Sequence, residues 1–203
     1  MTFFIRDSLM LAVFLDLETS GLDAYRHRVL EIAFKIVRVD IGETLFTYHS
    51  GVKQPWDAWE KRDPLSVEFN GFTWKKNLLG QDEKKICEDV IQIFTEWKIE
   101  RKKAVFICQN PAFDRCFFSQ LVDVYVQEKL QWPYHWLDFA SMYWALFVKQ
   151  LDEGHPFPSE IILSKNAIAR SYDLPSESEP HTAINGVDHL LLCYQTVIGF
   201  RDK

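Results

Sequence analysis

Apolar positions run almost unbroken through residues 9–16 (LMLAVFLD), the pattern of a central strand buried on both faces. Val29 to Val39 reads as a second long strand, with Ile32, Phe34 and Ile36 on one face. A turn at Gly42 leads into a third, near Glu43–His49. Three successive strands predict an antiparallel meander. Residues 51–80 are rich in Trp, Pro, Gly and Asn and predict loop with one short helix. From Gln81 to Lys98 the residues Ile86, Val90, Ile93, Phe94 and Trp97 recur at helical spacing. Ala104–Gln109 reads as a short buried strand, and Asn110-Pro111 as a helix start with Asn at the cap and Pro in the first turn. That helix is expected to reach about Lys129 and to bury Phe113, Phe117 and Leu121. Residues 134–138 predict a last short strand and Ala140–Gln150 a helix, followed by a Gly/Pro loop at Gly154–Pro158. Ser164 caps a helix through Tyr172, Leu174–Pro180 is polar loop, and a final helix runs to about Phe200. This order predicts an α/β fold with a sheet of about five strands flanked by helices. No internal repeat or linker interrupts it, so residues 1–203 are expected to form a single domain.

Composition narrows the function. Apolar residues make up 47% of the chain, enough for a substantial core and too much for disorder. The net charge of −6 supplies no global field for a polyanion, which weighs against passive nucleic-acid binding. It weighs little against a metal nuclease, because bound cations reverse the local field. Cys87, Cys108, Cys116 and Cys193 form no CxxC pair and read as reduced core residues of a cytoplasmic protein. No apolar run approaches a membrane span. The apolar start is preceded by Asp7 and broken by Asp16-Leu17-Glu18, which argues against a signal peptide.

The candidate chemistry begins with Asp16 and Glu18. Two residues apart on a strand, they point to the same side, with Cα atoms roughly 6.5–7 Å apart at about 3.3 Å rise per residue. That spacing suits two carboxylates gripping divalent cations, although charged pairs at strand ends are usually just solvated. Asp114 sits one turn inside the helix that follows the buried strand. It reads either as an acid favouring the helix dipole or as a third ligand facing Asp16. His181 lies in the loop before the last helix, with Glu177, Glu179 and Asp188 near it in sequence. In open α/β sheets, ligands bind near strand ends at a topological switch.

Taken together, FLDLETSGLDAYRHRVLEIAF, ICQNPAFDRCFF and LSKNAIARSYDLPSESEPHTAINGVDHLLLCY resemble the three exonuclease motifs of the DnaQ-like, or DEDD, 3′–5′ exonucleases. VEFNGFT and HWLDFASMYWAL resemble the segments between them, so the likeness covers nearly the whole chain in order. The resemblance implies a ribonuclease H-like fold, with a central mixed five-stranded sheet. It implies two divalent cations, Mg²⁺ or Mn²⁺, held by Asp16, Glu18 and Asp114, and His181 as general base. Thr19, Ser20, Gly21, Leu22 and Asn110 would border the terminal nucleotide. Phe69, Phe72 and Trp74 are candidates for stacking on bases, or for packing. The expected partner is a single-stranded DNA or RNA 3′ end, with a DNA polymerase subunit as a further candidate.

The chain departs from the family pattern in two places. Gln109 stands where the family commonly has His before Asn. More important, the family's His-x4-Asp falls on Gly186, and the nearest acid is Asp188. In a continuous helix two further residues turn a side chain by about 200°, to the opposite face. If the helix begins only after the turn pair Asn185-Gly186, Asp188 can act as a metal ligand and catalytic residue. Otherwise the site has three carboxylates. An active exonuclease and an impaired family member that binds nucleic-acid ends or a polymerase subunit both remain open on the sequence.

Overall fold

Leu11–Thr19 (β1) is the strand around which the molecule is built, as its apolar run predicts. In the computed structural model, which describes residues 10–151 and 157–200, alternate side chains of β1 enter two separate cores. Leu11, Val13, Leu15 and Leu17 pack with Phe94, Phe106, Phe117 and Phe118 on one face of the sheet. Ala12 and Phe14 pack on the other with Ile168, Val187, Leu190 and Cys193. Asp16 and Glu18 continue the second row beyond the point where its apolar lining stops. The start of the chain and most of the Gly154–Pro158 loop lie outside the described residues.

Val29–Arg38 (β2) pairs antiparallel with β1 and sets Asp16 opposite Ala33 and Glu18 opposite Glu31. Thr44–Lys53 (β3) pairs antiparallel with β2, completing the predicted meander. Gln81–Asp82 (β4) adds a short parallel edge beside β3. On the other side of β1, Ala104–Cys108 (β5) runs parallel to it, and Trp136–Asp138 (β6) runs parallel to β5. The sheet is therefore six-stranded, in the order β4-β3-β2-β1-β5-β6. Its extra strand is two polar residues long, too short to leave a periodic signature.

Residues 51–80 hold three short helices where one was expected: Trp56–Trp59 (α1), Pro64–Phe69 (α2) and Trp74–Leu78 (α3). They enclose a small core of Leu30, Trp59 and Val67, against which Phe72 and Trp74 pack. Glu83–Glu96 (α4) forms as its spacing predicts. The next helix breaks in two, into Pro111–Leu121 (α5) and Val124–Lys129 (α6). Val122 is extended there, and the Asp123 carboxylate accepts from the Tyr125 N–H to start a new helix. Phe139–Gln150 (α7), Lys165–Ser171 (α8) and Ala183–Val197 (α9) complete the chain. Among the described residues no helix is long and apolar enough to cross a membrane. Of the cysteines expected in the core, Cys108 and Cys193 are buried, whereas Cys87 is half-buried and Cys116 lies on the surface.

Candidate active site

Because β5 is parallel to β1, the helix that follows β5 starts beside the end of β1. This brings Asp114, in the first turn of α5 and 4% exposed, close enough to Asp16 for the two charges to act on each other. The three carboxylates are electrically uncomfortable. Burial raises the Asp16 carboxyl to about 6; Lys165 opposes the shift and Glu177 adds to it. Glu18 is pushed up to about 8, first by burial, then by Asp16 and by Glu31 across the ladder, with a hydrogen bond to Asn70 acting the other way. Asp114 lies well above the usual carboxylate range through burial and the charge of Asp16. Such a group of buried acids favours either protons or a cation.

His181 precedes α9, whose cap is Thr182. Its Nδ1 lies 3.1 Å from Glu177 Oε1, and its ring stacks on Phe69 with centroids 4.1 Å apart. Glu177 Oε2 accepts from Lys165 Nζ at 2.8 Å. The same ammonium donates to the Gly186 carbonyl at 3.0 Å and lies 3.9 Å from Asp16 Oδ1. Burial by itself would lower the Lys165 pKa, but Asp16 and Glu177 raise it above the ordinary value. Buried His189 lies 3.8 Å from Glu177 and hydrogen-bonds the Pro175 carbonyl at 2.8 Å. Glu31 completes this shell: one oxygen meets His49 at 2.6 Å, and the other accepts from the Ala183 N–H at 2.9 Å. There it favours the N-terminus of α9.

The helix start decides the position of the fourth carboxylate. The Thr182 hydroxyl accepts from the Asn185 N–H, so α9 has already begun before Asn185-Gly186 and runs through both. Gly186 faces Asp16, and Asp188 is turned away. The expectation that Asp188 joins the metal ligands and catalytic groups is therefore corrected. Its side chain is 51% exposed and pairs with Lys35. Asn-Gly reads as a turn only where no stronger cap precedes it, and Thr182 is that cap.

The residues expected to border a nucleotide fall into two groups. Thr19 and Leu22 line a cleft of about 460 Å³ with Glu18, Asn70, Phe69 and Phe113. Ser20 and Gly21 do not line it and hold the turn after β1 instead. The Ser20 hydroxyl accepts from the Arg28 N–H at 2.9 Å, and a Cβ at Gly21 would overlap the His27 ring. Asn110 takes the left-handed conformation (φ 58°) that Asn tolerates, and its side chain caps nothing; its N–H donates to Asp138 Oδ1 at 3.1 Å. Of the three candidate stacking rings, Phe69 is exposed at the cleft, while Phe72 and Trp74 pack inward. The departure at Gln109 has a local consequence: its amide donates to the Leu163 carbonyl at 2.8 Å, tying β5 to the segment before α8.

Sequence reasoning missed Lys165 and the roles of Glu177 and Glu31. A signal for Lys165 existed: it opens α8, where the helix dipole disfavours a cation. As donors, Asp16, Glu18 and Asp114 suit a divalent cation, being hard oxygen ligands without enough counter-charge. Position 186, a glycine, adds no side-chain oxygen to them. Among the described residues no three His, Cys, Asp or Glu side chains already form a metal cage.

A central β1 flanked by an antiparallel meander and parallel crossover strands, with acids at its end, defines a class. That class is one of fold: the same architecture is found in solved nuclease structures. No family model matches the chain. It is 26% identical over 119 residues to ribonuclease T of Shewanella frigidimarina, covering 55% of this chain and 52% of that protein. Its structure resembles the zinc-bound E. coli exonuclease I–single-stranded DNA complex, with a TM-score of 0.75 at 16% identity, over 94% of this chain and 40% of that one. It also resembles cell-death related nuclease 4, with a TM-score of 0.68 at 16% identity, over 95% of this chain and 66% of that one. The chain thus spans about half the length of the curated relative.

Proposed function

We propose that this chain is a metal-dependent 3′–5′ exonuclease that releases nucleoside monophosphates from single-stranded DNA or RNA ends. The observation that carries the reading is the three destabilised carboxylates at the end of β1, beside a histidine held by a buried glutamate. Asp16, Glu18 and Asp114 would hold the cation, Mg²⁺ or Mn²⁺, which when bound neutralises charge on the scissile phosphate. The relatives' names support the substrate: a ribonuclease, and an exonuclease complexed with single-stranded DNA.

The chain's own residues supply the rest. Glu177 engages His181 Nδ1, which leaves Nε2 to take the proton from the attacking water. The new bond joins that water's oxygen to phosphorus, and the bond to the preceding nucleotide's 3′ oxygen breaks. Phe69 offers a ring face to the terminal base, and Thr19 and Leu22 wall its cleft. A net charge of −6 suits a short end gripped locally better than a long strand held by its phosphates.

The test is digestion of matched 5′-labelled DNA and RNA oligonucleotides with Mg²⁺ or Mn²⁺, with the products sized. Stepwise shortening of at least one of them is expected, and intact strands under both ions would overturn the reading. Gly186 favours one alternative, an impaired relative that binds ends or a polymerase subunit. Retention of the oligonucleotide without cleavage, or stable copurification with a polymerase, would establish that instead.

A further inference from the structure

The side of Asp16 that faces α9 is filled in an unusual way. A Cβ at Gly186 would lie 2.6 Å from Asp16 Cγ and on top of one carboxylate oxygen. The Asp16 carboxylate therefore occupies the space that any side chain at this position would need. Only glycine lets it lean against the helix backbone there. The space beyond it holds an ammonium. Lys165 Nζ is bonded to the carbonyl of Gly186 itself at 3.0 Å and to Glu177 at 2.8 Å, and is 3.9 Å from Asp16. Its side chain is 10% exposed, and that of Glu177 4%. The remaining acid on α9, Asp188, is committed to Lys35 on β2.

A missing ligand at 186 and a buried cation against the ligand that remains belong together. We infer that the Lys165 ammonium takes the place of a second metal ion, so that the chain binds a single divalent cation on the Glu18 and Asp114 side of Asp16. This rests on the metal-dependent reading above. A fixed ammonium can balance charge and donate to a phosphate oxygen, but it cannot activate a water. That task stays with His181, which Glu177 holds with one oxygen while holding Lys165 with the other. The Lys165–Glu177 pair thereby links the charge of Asp16 to the orientation of the base.

The test is Mn²⁺ titration of the intact chain, read by calorimetry and by electron paramagnetic resonance. One Mn²⁺ per chain with the spectrum of an isolated ion is expected. Two ions with the spectrum of a coupled pair would overturn the inference and leave the exonuclease reading standing. No Mn²⁺ binding together with no digestion would overturn both. Lys165→Met should lower kcat by about 10²-fold, the scale of losing one charged donor. It should also admit a second, weaker Mn²⁺ between Asp16 and Glu177. A Lys165→Met chain that folds, still binds one ion and keeps full kcat would make Lys165 merely structural and contradict the inference. The stoichiometry of the unmodified chain decides between one ion and two even if the variant does not fold.

Discussion

Glu18 bears much of the electrostatic burden of the candidate site. It stands opposite Glu31 in the ladder and near Asp16, and burial lifts its carboxyl to about 8, with Asp16 at about 6. Groups that bind protons more tightly folded than unfolded stabilise the fold at low pH and lose that contribution as pH rises through the folded pKa. The chelated protein should therefore melt at progressively lower temperature as pH goes from about 5 to about 8. Saturating Mn²⁺ should flatten that slope, because the cation replaces the protons. Calorimetric melting with and without chelator checks this, and a chelated protein that gains stability over the same range would refute it. Glu177 makes a second prediction at this scale. Replaced by Gln, it can no longer pair as an anion with the His181 imidazolium, and kcat should fall on the order of 10²-fold with KM little changed. An unchanged melting temperature and unchanged Mn²⁺ binding in the variant would separate this from misfolding. The gathering of Asp16, Asp114 and His181 near one end of β1 was legible in the sequence because spacing and motif order mark them. The part of Glu31 was not, because what matters about it is a neighbour far away along the chain, and the local signal at Lys165, a cation opening a helix, does not name its partners.

At the level of elements, legibility followed length and periodicity. β1, β2 and α4 formed close to their expected bounds because each buries a continuous stripe. Between residues 51 and 80 one short helix was expected and three formed, because four to six residues cannot show a helical period. Capping decided two other outcomes. Asp123 splits the expected long helix into α5 and α6, and Thr182 starts α9 early enough to turn Asp188 outward. Asp123→Ala should cost about 1 kcal/mol in urea unfolding, the usual worth of such a cap, with nuclease activity retained. A loss of activity with stability intact would mean that the break serves the site and not the fold.

For the whole molecule, the order of strands and helices was enough to specify an α/β sheet with a site at the end of its central strand. The sequence counted five strands and the sheet has six, the difference being the two-residue edge β4. The topology explains why the acids must meet. The meander returns β2 beside β1, the crossover brings β5 parallel on the other side, and α5 and α9 then converge on the end of β1 from opposite faces of the sheet. Within that frame Gly186 backs onto Asp16, and a lysine from α8 fills the neighbouring space.

The central claim is that the carboxylates at the end of β1 drive hydrolysis from a 3′ end. It is tested most directly by incubating a 5′-labelled single strand with Mn²⁺, with unmodified protein beside Asp16→Ala. The predicted result is a ladder that shortens from the 3′ end one nucleotide at a time, slowed by at least about 10³-fold in the variant. A strand left intact by the unmodified protein, or cut equally fast by both, would contradict it.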